Sequence, residues 1–135
     1  MVRSSSGRGP KRVAPRPSFV RHALPPAPRD PIPAPNVKIA ATTTELAEGS
    51  ALFTAYCSRC HSFTSNLVKG GAVPDLRRTT TAVHATFDSI VIGAARRALG
   101  MPSFAKGLNA AQVRLFQAYV VDEAQRASNP SRVRP

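Results

Sequence analysis

The sequence of 135 residues lacks several features that identify common classes of protein. It has no tryptophan and only six phenylalanines, so a folded region of about eighty residues could bury only a modest apolar core. No segment is long and apolar enough to span a membrane, and residues 1–35 contain no continuous apolar run of the kind found in secretory signals. No zinc finger, helix-turn-helix or aromatic RNA-binding motif is present, so no specific nucleic-acid partner is predicted.

Acidic residues are also scarce, and the formal net charge of +12 is unevenly distributed. Residues 1–38 contain eight Lys or Arg against the single Asp30, together with nine of the thirteen prolines, whereas residues 39–125 carry eight basic and six acidic residues. A basic segment with few apolar residues repels itself and cannot form a packed core. We therefore predict a disordered Pro/Arg-rich extension or linker over 1–38, one domain over 39–126 and a flexible basic tail over 127–135.

The sequence has two cysteines, Cys57 and Cys60, which are separated by two residues. His61 follows Cys60 directly. This C-x-x-C-H spacing is the attachment signature of a c-type haem, in which both thiols tether the porphyrin and the imidazole binds the iron. A thioredoxin-like dithiol would lie in a βαβ setting, and no strand-rich pattern surrounds the motif. Structural zinc needs about four ligands, and only His22 and His84 remain, neither at a zinc-finger spacing.

A methionine downstream of the motif is the candidate sixth ligand of the iron. Met101 is the only methionine besides Met1, and it lies between Gly100 and Pro102, which favour a loop over a helix. An isolated methionine more often fills a core. With the upstream motif and no rival ligand, we predict that Met101 binds the iron opposite His61, a ligand pair that raises the reduction potential.

Helical patterns account for most of the predicted domain, and strand patterns are slight. Thr42 and Glu45 form a capping-box pair before an apolar stripe that runs into the cysteine motif, and Asn109 and Gln112 form a second pair before the last stripe. Between them lies a third apolar stripe. The apolar positions are Leu46, Ala47, Leu52, Phe53 and Tyr56; Val83, Phe87, Ile90, Val91 and Ala94; and Val113, Phe116, Tyr119, Val120 and Ala124.

Residues 46–124, with these helices, the C-x-x-C-H motif and a Met-Pro loop, resemble a class I cytochrome c domain. The resemblance implies an all-α fold of three to five helices around one covalently bound haem c. Four segments more closely resemble the C-terminal cytochrome domain of quinohaemoprotein alcohol dehydrogenases, in which a Pro-rich linker joins that domain to a pyrroloquinoline quinone β-propeller. These segments are Gly70–Arg77, Phe87–Ala94, Gly100–Phe104 and Gln117–Val120.

The resemblance also implies roles for two further residues. The carbonyl of Pro74 is expected to accept a hydrogen bond from the outer nitrogen of His61, which would fix the tautomer and basicity of the ligand. Arg77 is expected near a haem propionate, because a guanidinium suits a carboxylate; a solvated surface arginine is the alternative. The predicted haem site therefore comprises Cys57, Cys60, His61, Met101, Pro74 and Arg77, with His61 and Met101 as iron ligands.

These observations predict an electron carrier rather than an enzyme. The expected donor is a dehydrogenase domain or subunit that contains pyrroloquinoline quinone, and the expected acceptor is another cytochrome, an oxidase or a copper protein. The alternatives are a free-standing small soluble cytochrome c that shuttles electrons to an oxidase, and a haem-free basic interaction protein. Haem attachment of this kind implies the periplasm, yet no signal peptide is visible. We therefore expect the reading frame to be a detached, truncated or wrongly started C-terminal part of a larger exported dehydrogenase.

Overall fold

The computed structural model describes residues 31–61, 63, 73–129 and 131. Its helices are α1 (Thr43–Tyr56), α2 (Thr81–Ala85), α3 (Phe87–Val91) and α4 (Ala110–Ser128), with single 3-10 turns at Leu76–Arg78 and Arg97–Leu99. The described part contains no β-strand, which confirms the predicted all-α class. None of the helices in these ranges is long and apolar enough to cross a membrane.

Helix α1 begins at the predicted capping box. The Thr42 hydroxyl accepts a hydrogen bond from the Glu45 amide at 3.2 Å, and the Glu45 carboxylate accepts one from the Thr42 amide at 2.7 Å. These two bonds satisfy amide groups that a helix start otherwise leaves without partners. The helix then continues to Tyr56, and Cys57 is its C-terminal cap, so the helix delivers the cysteine motif as predicted.

The middle apolar stripe forms two short helices rather than one. Between α2 and α3, Thr86 has φ −114° and ψ 21°, which lies outside the helical region. The Thr86 hydroxyl lies 3.3 Å from the carbonyl oxygens of both Ala82 and Val83, so the side chain competes for groups that a continuous helix would bond through its backbone. The stripe nevertheless buries Phe87, with Val91 on the same core.

Helix α4 also begins at a capping box, in which Asn109 and Gln112 exchange hydrogen bonds of 2.9 and 3.0 Å. It packs across α1 at Gly49. A Cβ atom at Gly49 would lie 2.3 Å from the Leu115 carbonyl oxygen and 3.0 Å from the Tyr119 Cβ, so the two backbones approach too closely for any other residue. The side chains of α4 that are fully or nearly buried are Val113, Phe116, Ala118, Val120, Val121 and Ala124.

The chain that leads into α1 is partly buried. Its half-buried residues are Ile32, Pro35, Val37 and Ile39, and the Pro31 carbonyl accepts a hydrogen bond from Arg78 Nη1 at 3.3 Å. Packing contacts therefore begin several residues before the predicted domain boundary at residue 39. The assignment of residues 1–30 to an extension stays a prediction, because those residues lie outside the described ranges.

Candidate haem-binding site

The cysteine motif forms a tight turn directly after α1. The Cys57 amide continues the helix by donating to the Phe53 carbonyl at 2.8 Å, and the amides of Cys60 and His61 both donate to the Cys57 carbonyl, at 3.1 and 2.8 Å. Cys57 is 7% exposed and belongs to the apolar core, whereas Cys60 is exposed. The turn thus separates the two free thiols, with one on the core and one at the surface.

The state of the Cys57 thiol argues against one alternative use of the motif, a redox-active dithiol. Burial, with a smaller effect of the nearby Cys60, raises the pKa of Cys57 to about 11. A redox-active dithiol requires the opposite shift, because the thiolate is its reactive form. The described residues contain no group of three or more His, Cys, Asp or Glu side chains able to hold a metal ion.

The half-buried imidazole of His61 is held by a backbone carbonyl. Its Nδ1 lies 2.8 Å from the carbonyl oxygen of Pro74. Because a carbonyl oxygen only accepts, the proton of a neutral imidazole must be on Nδ1, and the lone pair is then on Nε2. A histidine fixed in this tautomer is prepared to bind a metal through Nε2.

A short loop fixed by hydrogen bonds presents Met101. Gly100 adopts φ 90°, a left-handed conformation that ends the preceding 3-10 turn, and the Met101 amide donates to the Arg96 carbonyl at 3.2 Å. Three residues later, the Phe104 amide donates to the Val91 carbonyl of α3 at 2.9 Å. The Met101 side chain is half-buried and packs against the core cluster that contains Cys57. The loop is therefore anchored at both ends.

Arg77 is bound to a neighbouring carboxylate. Its Nε lies 3.1 and 3.2 Å from the two carboxylate oxygens of Asp75, and its Nη2 lies 2.7 Å from Asp75 Oδ2. The same Nη2 donates to the Phe63 carbonyl at 3.3 Å. The contact between Arg77 and a haem propionate stays a prediction. Because Nε and Nη2 already donate to Asp75 and Phe63, Nη1 is the guanidinium nitrogen that would donate to the propionate.

His84 has its own partners within the helical core. It is 8% exposed, its ring stacks on Phe87 at 5.6 Å between centroids, and Gln117 Nε2 lies 2.9 Å from its carbonyl oxygen and 3.3 Å from its Nδ1. Burial lowers the pKa of His84, so the ring is neutral in the folded protein at pH 7. These contacts give His84 a packing role.

The residues present fit the requirements of a c-type haem. The chain offers two thiols for thioether bonds, an imidazole with its lone pair on Nε2, and a thioether on an anchored loop. Apolar side chains surround them, as a porphyrin requires. The half-buried apolar residues packed on the core cluster are Leu52, Phe63, Leu76, Ile92, Met101, Phe104 and Tyr119.

The helical fold and the C-x-x-C-H turn together define a c-type cytochrome domain. Residues 44–120 match the family described as "Cytochrome C oxidase, cbb3-type, subunit III", and the chain belongs to this family of cytochrome c domains. As such a domain it is an electron carrier rather than a catalytic unit, and the cofactor of the family is haem c.

Similar proteins include two quinohemoprotein alcohol dehydrogenases from Pseudomonas putida. ADH-IIG is 37% identical over 99 residues, which cover 73% of this chain and 13% of that protein; ADH IIB is 34% identical over 101 residues, which cover 72% and 14%. The solved structure of ADHIIG from strain HK5 superposes with a TM-score of 0.59 over 75% of this chain and 14% of its own. The predicted resemblance is confirmed, and the chain spans only about one seventh of these relatives.

Two structurally important residues were not singled out from the sequence. Gly49 lies inside a helix, where glycine is unfavourable. A glycine at such a position could have indicated that another helix crosses close by, as α4 does. Asp75 follows a proline and precedes Arg77 by two residues, a spacing typical of a side chain that caps a short turn. The glycines of the predicted segment from Gly70, as well as His22, lie outside the described residues.

Proposed function

We propose that this chain holds one haem c, to which Cys57 and Cys60 would be joined by thioether bonds and whose iron His61 and Met101 would bind. The bound haem supplies a one-electron Fe(II)/Fe(III) couple. The observation that best supports this assignment is the 2.8 Å contact between His61 Nδ1 and the Pro74 carbonyl, because it leaves Nε2 as the only nitrogen able to bind the iron.

Each of these residues has a defined task in the proposed site. His61 holds its proton at Nδ1, and the Pro74 carbonyl fixes the plane of the ring and increases the basicity of Nε2. The anchored loop holds the Met101 thioether in place without the entropy loss that a mobile loop would incur. The apolar residues around Cys57 exclude water, which favours the less charged Fe(II) state.

We further propose that electrons arrive from a dehydrogenase domain or subunit that contains pyrroloquinoline quinone. The similarity to the cytochrome parts of two quinohemoprotein alcohol dehydrogenases supports this donor. A cytochrome, an oxidase or a copper protein would accept the electrons. Attachment of haem c to such domains takes place in the periplasm, which is the proposed location of the loaded protein.

Mixing experiments test the proposed donor. Oxidised, haem-loaded protein is combined with a quinoprotein alcohol dehydrogenase and its alcohol, and the visible spectrum is followed over time. We expect reduction of the haem that requires both the enzyme and the alcohol. A free-standing cytochrome with a different donor would stay oxidised in this mixture and would still be reduced by a chemical reductant, and that result would contradict the proposed donor.

A further inference from the structure

The two chain segments that meet at His61 are joined a second time, by Arg77. On one segment, His61 and Phe63 follow the cysteine turn; on the other, Pro74 precedes the turn that contains Asp75 and Arg77. His61 bonds to Pro74, while Arg77 Nη2 donates to the Phe63 carbonyl and its guanidinium carbon lies 4.9 Å from the centroid of the Phe63 ring. The hydrogen bond of the imidazole is therefore flanked by a cation–π contact and a second hydrogen bond.

Asp75 fixes the geometry of this second junction. Its carboxylate receives three hydrogen bonds from the Arg77 guanidinium and one from the Arg77 amide at 3.0 Å, so both the side chain and the backbone of the turn are held. The Asp75 and Arg77 side chains are only 15% and 20% exposed, so water and salt screen the pair much less than a surface ion pair. Paired, planar hydrogen bonds of this kind also restrict direction, which a single ammonium group does not.

The other end of the junction is rigid as well. The Phe63 ring stacks on Phe53 of α1, with 4.7 Å between centroids and 20° between planes. Phe53 is 4% exposed and belongs to the central core cluster. The turn that carries Pro74 is thus connected to the first helix through Arg77 and Phe63.

We propose that Asp75 and Arg77 form one positioning unit, which holds the Pro74 carbonyl against Nδ1 of the iron ligand His61. This inference rests on the proposed haem function. It assigns Arg77 a role through Asp75 and Phe63, separate from any contact with a haem propionate. Because the carbonyl bond sets the basicity of the ligand, loss of either member of the unit changes the ligand itself as well as the fold.

Exchange of the Nδ1 proton of His61 with solvent, measured by NMR on the reduced, haem-loaded protein, reports on this bond directly. Asp75→Asn removes the charge but keeps an oxygen that can cap the turn, and Arg77→Gln removes the guanidinium. Each variant should accelerate exchange about tenfold, the ratio that corresponds to loss of one charged hydrogen-bond pair. The double variant should also exchange about tenfold faster than the wild type, and not faster by the product of the two single effects, because both residues act as one unit.

Arg78→Gln is the control for charge alone, because it removes a neighbouring cation that also acts on Asp75 but leaves every hydrogen bond between Asp75 and Arg77 in place. It should change the exchange rate by much less than the tenfold expected when the unit itself is broken. Thermal unfolding of each loaded variant establishes that the domain is folded. If Arg77 acts on a propionate alone, Asp75→Asn will exchange as the wild type does, and that result overturns the proposal; so does a double variant with the product of the single effects. A wild type that never attaches haem would instead refute the proposed function, and the positioning role with it.

Discussion

The crossing of α1 and α4 at Gly49 provides a stability prediction that depends on the fold alone. In Gly49→Ala, the new methyl group would lie 2.3 Å from the Leu115 carbonyl oxygen, and an ordinary contact begins at 3.4 Å. The oxygen belongs to the backbone of a helix, so no side-chain rotation can relieve the clash. The helices must separate by about 1 Å, a gap that forfeits a quarter to a half of the dispersion energy of each contact involved.

The magnitude follows from two opposing effects. Overpacking a well-packed interior costs up to about 3 kcal/mol. We take this upper value for Gly49→Ala, because the methyl group would clash with backbone, which cannot move aside as a side chain can. Alanine is the better helix former by about 1 kcal/mol, which offsets part of that cost. We expect a net destabilisation of about 2 kcal/mol, which lowers the Tm of a domain of this size by about 10 °C.

Thermal unfolding of the haem-loaded protein, followed by circular dichroism, measures this effect. Gly100→Ala is the comparison variant, because a Cβ there meets nothing within 4 Å, so it introduces the same methyl group without a clash but in the loop that presents Met101. This variant should lose about 1 kcal/mol from backbone strain. If Gly49→Ala is as stable as the wild type, the close crossing of α1 and α4 is wrong.

Three further predictions concern single side chains. Met101→Ala should abolish the sulfur-to-iron charge-transfer band of the oxidised protein and lower its reduction potential, because a thioether favours Fe(II); His84→Ala should do neither, and an unchanged band in the Met101 variant would assign the distal ligand elsewhere. Burial lowers the pKa of His84 in the folded state, so its contribution to stability is complete above pH 6.5 and is lost as the pH falls below that value. Between pH 7 and 5, the free energy of unfolding measured in urea should therefore fall more steeply for the wild type than for His84→Ala. Equal dependence of this free energy on pH in the two proteins would contradict the prediction. Burial alone would raise the pKa of Asp75, but hydrogen bonds and charge from Arg77, with the charge of Arg78, lower it overall; the destabilisation by Asp75→Asn should be complete at pH 7 and disappear as the pH falls below 3.8.

Local signals in the sequence predicted the long helices well. The capping boxes at Thr42 and Asn109 depend on residues only three positions apart, and both form as expected. The middle stripe was harder, because the apolar spacing around Thr86 fits one helix, whereas the chain leaves the helical conformation at Thr86, where the hydroxyl contacts two helix carbonyls. Periodicity reports which residues are buried, and it does not report local competition for backbone carbonyls.

The candidate site divides in the same way. The haem motif is contiguous, so Cys57 and His61 could be identified without a fold. The partners of these residues come from distant segments: Pro74 follows His61 by thirteen residues, and Arg77 binds the carbonyl of Phe63. The family resemblance implied the contact of Pro74 with His61, but the contact of Arg77 with Phe63 depends on how the chain folds back, which the residues alone do not specify. Arg77 shows the consequence, because the family resemblance implied a propionate contact, whereas the contacts of its guanidinium with Asp75 and with the Phe63 carbonyl are seen only in the fold.

Covalent haem attachment is the most direct test of the central claim. The wild type and the double variant Cys57→Ala/Cys60→Ala are produced in the periplasm beside a haem-ligation system and separated on a denaturing gel stained for haem. Because thioether bonds survive denaturation, the wild type should carry the stain and the double variant should carry none. A stained double variant, or an unstained wild type, would contradict the assignment of this chain's two thiols to haem c.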